Sequence, residues 1–134
     1  MRYLSIDYGV KRTGLAICDA GETFVSPLAV IEGQKGLIDK VKAVIKNENV
    51  GALVLGLPFN MDDSEGPASK SVRQFAEQIK KVIDIPIYFQ DERLSTFGAA
   101  EKLAAGEFTR KGKKKRLDAI AAAEILQAFL DGGK

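Results

Sequence analysis

The sequence contains no histidine and a single cysteine. Without histidine there can be no Ser-His-Asp or Cys-His nucleophilic arrangement, no His-ligated zinc and none of the usual general bases that titrate near neutral pH. One thiol, Cys18, excludes an intramolecular disulfide and any multi-cysteine metal site. Lying inside an apolar strand pattern, it reads as a small core residue. Also missing are a bilayer-length apolar run, a basic segment followed by an apolar one at the start, an internal repeat, a low-complexity stretch and a linker. The expectation is a cytoplasmic protein with no membrane partner. Any catalysis must rest on carboxylates, lysines, arginines, hydroxyls or a bound metal.

With 46% hydrophobic and 28% charged residues, the composition is that of an ordinary globular chain rather than a disordered one. Its 134 residues fit one domain, 1–134, long enough to bury roughly two-thirds of the unfolded surface. A net charge of +2 is too small to require a polyanionic partner. The placement of the charge carries more information than its sum.

The segment YLSIDYGVKRTGLAICD organises the rest. Tyr3 to Ile6 reads as a strand that leaves Asp7 at its carboxyl end. Tyr8-Gly9 begins a turn holding Lys11 and Arg12, and Thr13 to Cys18 returns antiparallel. Gly14, Ala16 and Cys18 make one face of that second strand small, leaving room for a ligand or another backbone. A carboxylate, two cations and a permissive backbone suit a hydrated divalent cation facing a phosphate. Asp before Tyr-Gly is also common turn chemistry, and a Lys-Arg pair at a hairpin tip is often simply solvated.

A third strand is expected from Glu22 to Val30, with Pro27 favouring an edge or a bulge. After Gly36, the positions Leu37, Ile38, Val41, Val44 and Ile45 share one helical face. ALVLGL, residues 52–57, reads as a parallel strand covered on both faces. Pro67 opens a helix with Val72, Phe75, Ala76, Ile79 and Val82 at helical spacing. IPIYFQ, residues 85–90, is the fifth strand. A helix over about 97–105 follows, capped by Ser95 or Thr96 and ended by Gly106. Residues 107–116 read as a basic connector, and a last helix runs from 117 to about 130. Short links among the first three strands require hairpins, and helical crossovers require parallel pairing afterwards. The expected fold is α/β, a five-stranded mixed sheet flanked by helices.

Ligands of such sheets collect at the carboxyl ends of the parallel strands. Acids stand there: Asp7 after the first strand, Asp62 and Asp63 after the fourth, Asp91 and Glu92 after the fifth. Asp118, expected in the first turn of the last helix, has Ala122, Ile125 and Phe129 at i+4, i+7 and i+11, and so shares an inward apolar face. A buried carboxylate is costly unless a positive charge meets it. A divalent metal would meet it; so, more weakly, would the helix amino terminus.

The stretches DYGVKRTGLAICD, VLGLPFNMDDSEGPASKSVRQFA, DERLST and LDAIAAAEILQAFL, in this order and across nearly the whole chain, resemble the YqgF family, also called RuvX-like Holliday-junction resolvases. Members of that family carry the provisional description of pre-16S rRNA nucleases. The resemblance implies an RNase H-like fold, three antiparallel strands followed by two parallel ones. It implies that Asp7, Glu92 and Asp118 converge as catalytic, metal-binding acids, with Asp62 or Asp91 as substitutes for the middle one. The family usually reads Asn-Met-Asp-Gly-Ser where this chain has Asp63 in place of glycine; a positive φ there would strain aspartate more than glycine.

The activity so implied is metal-dependent endonucleolytic hydrolysis of phosphodiesters with Mg²⁺ or Mn²⁺, in a two-ion arrangement. The product ends would be 5′-phosphate and 3′-hydroxyl. The basic run Arg110, Lys111, Lys113, Lys114, Lys115 and Arg116 would draw a phosphate backbone toward Asp118, with Lys11, Arg12 and Arg93 taking further phosphates. Tyr3, Tyr8, Phe59 and Phe97 can stack on bases or pack in the core. The partner is structured RNA, as in ribosomal precursor particles, or branched DNA, bound by a monomer or homodimer. Two rivals stand beside this. Actin-like ATPases and sugar kinases share the Asp-x-Gly hairpin but close nucleotide between two such domains, and their hairpin favours hydroxyl residues where Lys11 and Arg12 stand. A non-catalytic nucleic-acid module would retain the fold and lose the acids, which are present here.

Overall fold

The computed structural model describes residues 1–59, 62, 64–92 and 110–132. Five strands, β1 (Tyr3–Asp7), β2 (Arg12–Cys18), β3 (Val25–Glu32), β4 (Ala52–Leu57) and β5 (Ile87–Asp91), form one sheet in the order β3-β2-β1-β4-β5. β1 pairs antiparallel with β2 and parallel with β4, β2 pairs antiparallel with β3, and β4 pairs parallel with β5. The mixed sheet expected from link lengths is therefore present. Among the described residues three helices accompany it: α1 (Leu37–Asn47), α2 (Pro67–Lys80) and α3 (Arg110–Asp131).

Alternation along the strands sorts side chains into two layers. Leu4 and Ile6, Leu15 and Ile17, and Leu53, Leu55 and Leu57 form one core with Leu37 and Val41 of α1 and Val72, Phe75, Ala76 and Ile79 of α2. On the other face Tyr3, Cys18, Ala52 and Val54 pack against Ile125, Leu126 and Phe129 of α3. β4 is buried throughout because helices cover both its faces.

The small side of β2 admits another backbone. A Cβ added to Gly14 would fall on the backbone carbonyl of Asp118, so α3 lies directly on the strand there. Buried Ser5 donates its hydroxyl to the carbonyl of Ala122 at 2.5 Å, giving that helix a polar anchor on β1. Cys18 is a buried core thiol, as expected.

Several boundaries differ from those expected. β3 begins at Val25 and extends to Glu32, and its register with β2 shifts between Leu15 and Ala16, opposite Pro27, so proline sits at a bulge of an edge strand. β5 starts at Ile87, not Ile85, and includes Asp91. α2 ends at Lys80, leaving Val82 exposed outside the helix. The largest difference is α3, which begins at Arg110 rather than Leu117. From Arg110 onward the run read as a connector is helical backbone. Lysine and arginine are good helix formers, and extension of an existing helix outweighs the roughly 1 kcal/mol cost of Gly112. Asp118 thus sits in the third turn, and stabilisation by the helix amino terminus does not apply to it. The helix expected over 97–105, with its Ser95, Thr96 and Gly106 boundaries, lies outside the described residues.

Candidate active site

The site is assembled at the carboxyl end of β1. Asp7, the last residue of that strand, is directly opposite Gly14 of β2. Alternation sets it on the same face as Ser5, the face covered by α3. Leu55 pairs with Ile6 in the parallel neighbour, so Gly56 is the next residue along β4. A Cβ at Gly56 would meet Ile125 Cδ1 at 2.5 Å and Glu92 Oε1 at 2.6 Å. Glu92, immediately after β5, therefore lays its carboxylate across β4 on the α3 side. Two glycines make this approach possible: Gly14 admits the backbone of Asp118, and Gly56 admits the side chain of Glu92.

Electrostatics tie those acids together. The Asp7 carboxyl is pushed up to about 8, first by burial, then by a hydrogen bond with Glu92 and the negative charges of Glu92 and Asp118. Burial also raises Asp118, while Arg12 pulls it the other way through a hydrogen bond and its charge. Arg12 donates Nε–H to Asp118 Oδ2 at 3.0 Å, and each side chain retains 30% of its exposure. Arg12, expected to take a phosphate, is thus paired with one of the acids.

The other candidates separate from this cluster. Asp62 is fully exposed and accepts hydrogen bonds from the Ser64 amide at 3.1 Å and hydroxyl at 2.5 Å, which hold its pKa low. It shapes its own turn. Asp91 pairs with Leu57 in the β4–β5 register, and Leu57 belongs to the α1–α2 core; alternation puts Asp91 on that face, away from Asp7. Arg93, Asp63 and Asn60 lie outside the described residues, as do the side chains of Arg110, Lys111, Lys113, Lys114, Lys115 and Arg116. Among the aromatics, Tyr3 is buried against Phe129, Tyr8 stacks on Phe75 at 4.6 Å and Phe59 packs against the core, so these three are structural; Phe97 is outside the described residues.

Two positioning features escaped the sequence reading. Gln34 donates Nε2–H to the carbonyls of Gly9 at 2.9 Å and Val10 at 3.1 Å, and accepts the Tyr8 hydroxyl at 2.7 Å. With the Gly33 amide on the Lys11 carbonyl at 2.8 Å, it clasps the turn that presents exposed Lys11 and Arg12. Nothing in an isolated glutamine signals such a role. Gly56 did leave a signal, a glycine inside an otherwise branched apolar strand, which marks close approach of another group.

The donor set consists of carboxylate oxygens, chemistry that suits a hard divalent cation, with the Arg12 guanidinium beside it on Asp118. Among the described residues no three acids are already spaced as a ligand set. Asp7 is paired with Glu92 and Asp118 with Arg12. These residues fit a divalent cation in kind, once Asp7 is ionised.

The family profile described as RuvX, Holliday junction resolvase, matches residues 1–132. The chain belongs to the RuvX family. A relative from Anaeromyxobacter, provisionally named a pre-16S rRNA nuclease, is 41% identical over 98% of both chains. One of the same name from Maridesulfovibrio salexigens is 41% identical over 97% of this chain and 98% of its own. Among solved structures, Thermus thermophilus RuvC in complex with a Holliday junction substrate superposes with a TM-score of 0.59 at 16% identity, covering 100% of this chain and 97% of that one. The fowlpox virus Holliday junction resolvase gives 0.58 at 15%, covering 98% and 99%. Identities this low establish the RNase H-like resolvase fold alone. No helix among the described residues is long and apolar enough to cross a membrane.

Proposed function

We propose that residues 1–134 form a metal-dependent endonuclease that hydrolyses nucleic-acid phosphodiesters, with the 5′ end of pre-16S rRNA in ribosomal precursor particles as its substrate and the cytoplasm as its compartment. The observation carrying this reading is the convergence of Asp7, Glu92 and Asp118 at one end of the sheet, where burial and mutual repulsion leave a demand for positive charge. The relatives' names point to the RNA substrate. The family description favours branched DNA as the second reading.

Asp7, Glu92 and Asp118 would hold Mg²⁺ or Mn²⁺, two ions in the full site. Bound there, the metal would supply a water of lowered pKa and neutralise the leaving oxygen of an in-line displacement. The chain's own contribution is placement. Gly14 and Gly56 let the acids approach; β1, the end of β5 and α3 hold them from three directions; and the Gln34 clasp fixes the turn bearing Lys11 and Arg12. Lys11 and the cations of Arg110 to Arg116 draw the phosphate backbone toward that end of the sheet.

The deciding experiment offers the purified protein a labelled pre-16S rRNA 5′-end fragment and a four-way DNA junction, with Mn²⁺, Mg²⁺ or EDTA, beside Asp118→Asn. Cleavage of the RNA that requires metal and falls at least about a hundredfold in the variant is expected, since a misplaced or missing electrostatic group costs on that order. Preferential cutting of the junction would transfer the assignment to branched DNA. Binding of both without cutting would identify a non-catalytic module.

The basic run makes a separate prediction. Replacing Lys113, Lys114 and Lys115 together by glutamine should weaken binding of the RNA fragment and flatten the dependence of log K on log salt by about 0.7 to 0.9 per lost phosphate contact. Titrations at three or more salt concentrations measure this, and an unchanged slope removes these residues from the interface.

A further inference from the structure

The acids already have a cation beside them, and it belongs to the chain. Arg12 begins β2 and reaches Asp118, 106 residues later, with its Nε–H at 3.0 Å from Oδ2. Its backbone is restrained, because the adjoining turn is clasped by Gln34 and by the Gly33 amide on the Lys11 carbonyl. Its side chain is not enclosed, with 30% of its surface exposed, as for Asp118. A competitor for one partner opens the pair.

A divalent ion is such a competitor, and a phosphodiester is the complementary attraction for the other partner. Asp118 cannot turn its Oδ2 toward both a guanidinium and a metal without placing the two cations in repulsion. One arginine carries a single charge against three acids, so a divalent ion balances the cluster better. Released, a guanidinium tethered at this edge of the site remains within reach of a phosphate lying over the acids, and its planar fork matches phosphate geometry.

We propose that Arg12 is a displaceable counter-ion: it holds Asp118 while no divalent ion is bound, yields that carboxylate when one binds, and then engages the phosphate backbone. Metal and nucleic acid thereby favour each other's binding through one side chain, a coupling that must be reciprocal. The inference rests on the metal-site reading above and adds that the arginine and the metal compete.

The test uses the full chain and the metal alone. In calorimetric titration with Mn²⁺, Arg12→Ala should bind roughly two- to fivefold more tightly than wild type, the range expected when a partly exposed ion pair no longer has to be broken. In the unsubstituted protein, the Arg12 Nε–H proton resonance should shift and lose its protection from exchange as Mg²⁺ is added. This second measurement needs no variant, and it separates displacement from the mere loss of a nearby positive charge. Retention of the Nε–H signal at saturating Mg²⁺, or Mn²⁺ affinity unchanged in Arg12→Ala, overturns the proposal and leaves the metal site intact. Absence of Mn²⁺ binding in both wild type and Asp118→Asn would instead refute the metal site itself, and the counter-ion role with it.

Discussion

Asp7→Asn is expected to abolish cleavage and, in EDTA, to melt roughly 10 °C higher than wild type at pH 8. The two effects have one cause. Burial, the hydrogen bond with Glu92 and the charges of Glu92 and Asp118 push the Asp7 carboxyl from 3.8 to about 8. Between those values the folded protein binds a proton that the unfolded chain has released, so stability falls as pH rises from about 4 to about 8 and levels off above. Below about 4 both states are protonated and the group contributes nothing. At pH 8 the penalty is on the order of 3 kcal/mol after allowing for the partial exposure of Asp7, and a chain of this size converts that into about 10 °C. Asparagine cannot ionise, so it escapes the penalty while keeping the shape and a hydrogen bond toward Glu92. The stabilisation should vanish near pH 4 and be complete at pH 8, which melting curves across that range will show. Divalent metal should narrow the gap from the other side by stabilising wild type alone. Destabilisation of Asp7→Asn at pH 8 would mean that the carboxylate is already compensated, and the acid cluster would lose its claim to a metal.

Gly14→Ala and Gly56→Ala are expected to part company. At Gly14 the new Cβ meets backbone, the Asp118 carbonyl and the Ala119 amide, which cannot step aside without moving α3 off the sheet. Overpacking of this kind should cost about 3 kcal/mol or more, lowering the melting temperature by roughly 10 °C and lifting Asp118 away from Asp7. At Gly56 the atoms nearest the Cβ belong to flexible side chains, Ile125 Cδ1 and Glu92 Oε1 and Cγ. Stability should drop by about 1 kcal/mol, whereas cleavage should fall ten- to a hundredfold, because the Glu92 carboxylate is pushed further than orientation tolerates. Thermal melts beside single-turnover cleavage assays measure both. Equal losses of stability and activity at the two positions would deny Gly56 its role in seating Glu92.

These glycines also illustrate where sequence reading succeeds. The alternation of small residues at Gly14, Ala16 and Cys18 indicated room for a ligand or another backbone, and α3 takes it. The helical spacing from Asp118 to Phe129 placed that acid on the inward stripe, where Ala122, Ile125 and Phe129 are buried. Such patterns survive in one dimension because strand and helix periods are local properties of the chain. Where the last helix began was less legible. Charge density and Gly112 imitate a loop, and only the cooperative extension of a helix docked along β1, β2 and β3 carries it back to Arg110.

The sequence by itself determined the order of the five strands and of α1, α2 and α3, the mixed pairing that link lengths impose, Asp7 at the end of β1, Asp118 on the inward stripe of the last helix, and the absence of any histidine or disulfide chemistry. Through the family resemblance it put Glu92 first as the middle acid, with Asp62 or Asp91 as substitutes, since all three follow a parallel strand. Only the tertiary structure separated them in space: sheet alternation puts Asp91 on the α1–α2 face, a Ser64 turn holds Asp62 in solvent, and Glu92 lies across Gly56 beside Asp7. It alone, too, set Arg12 against Asp118. Pairings between residues 106 positions apart depend on which backbone can lie on which, and that is settled by packing rather than by any local propensity.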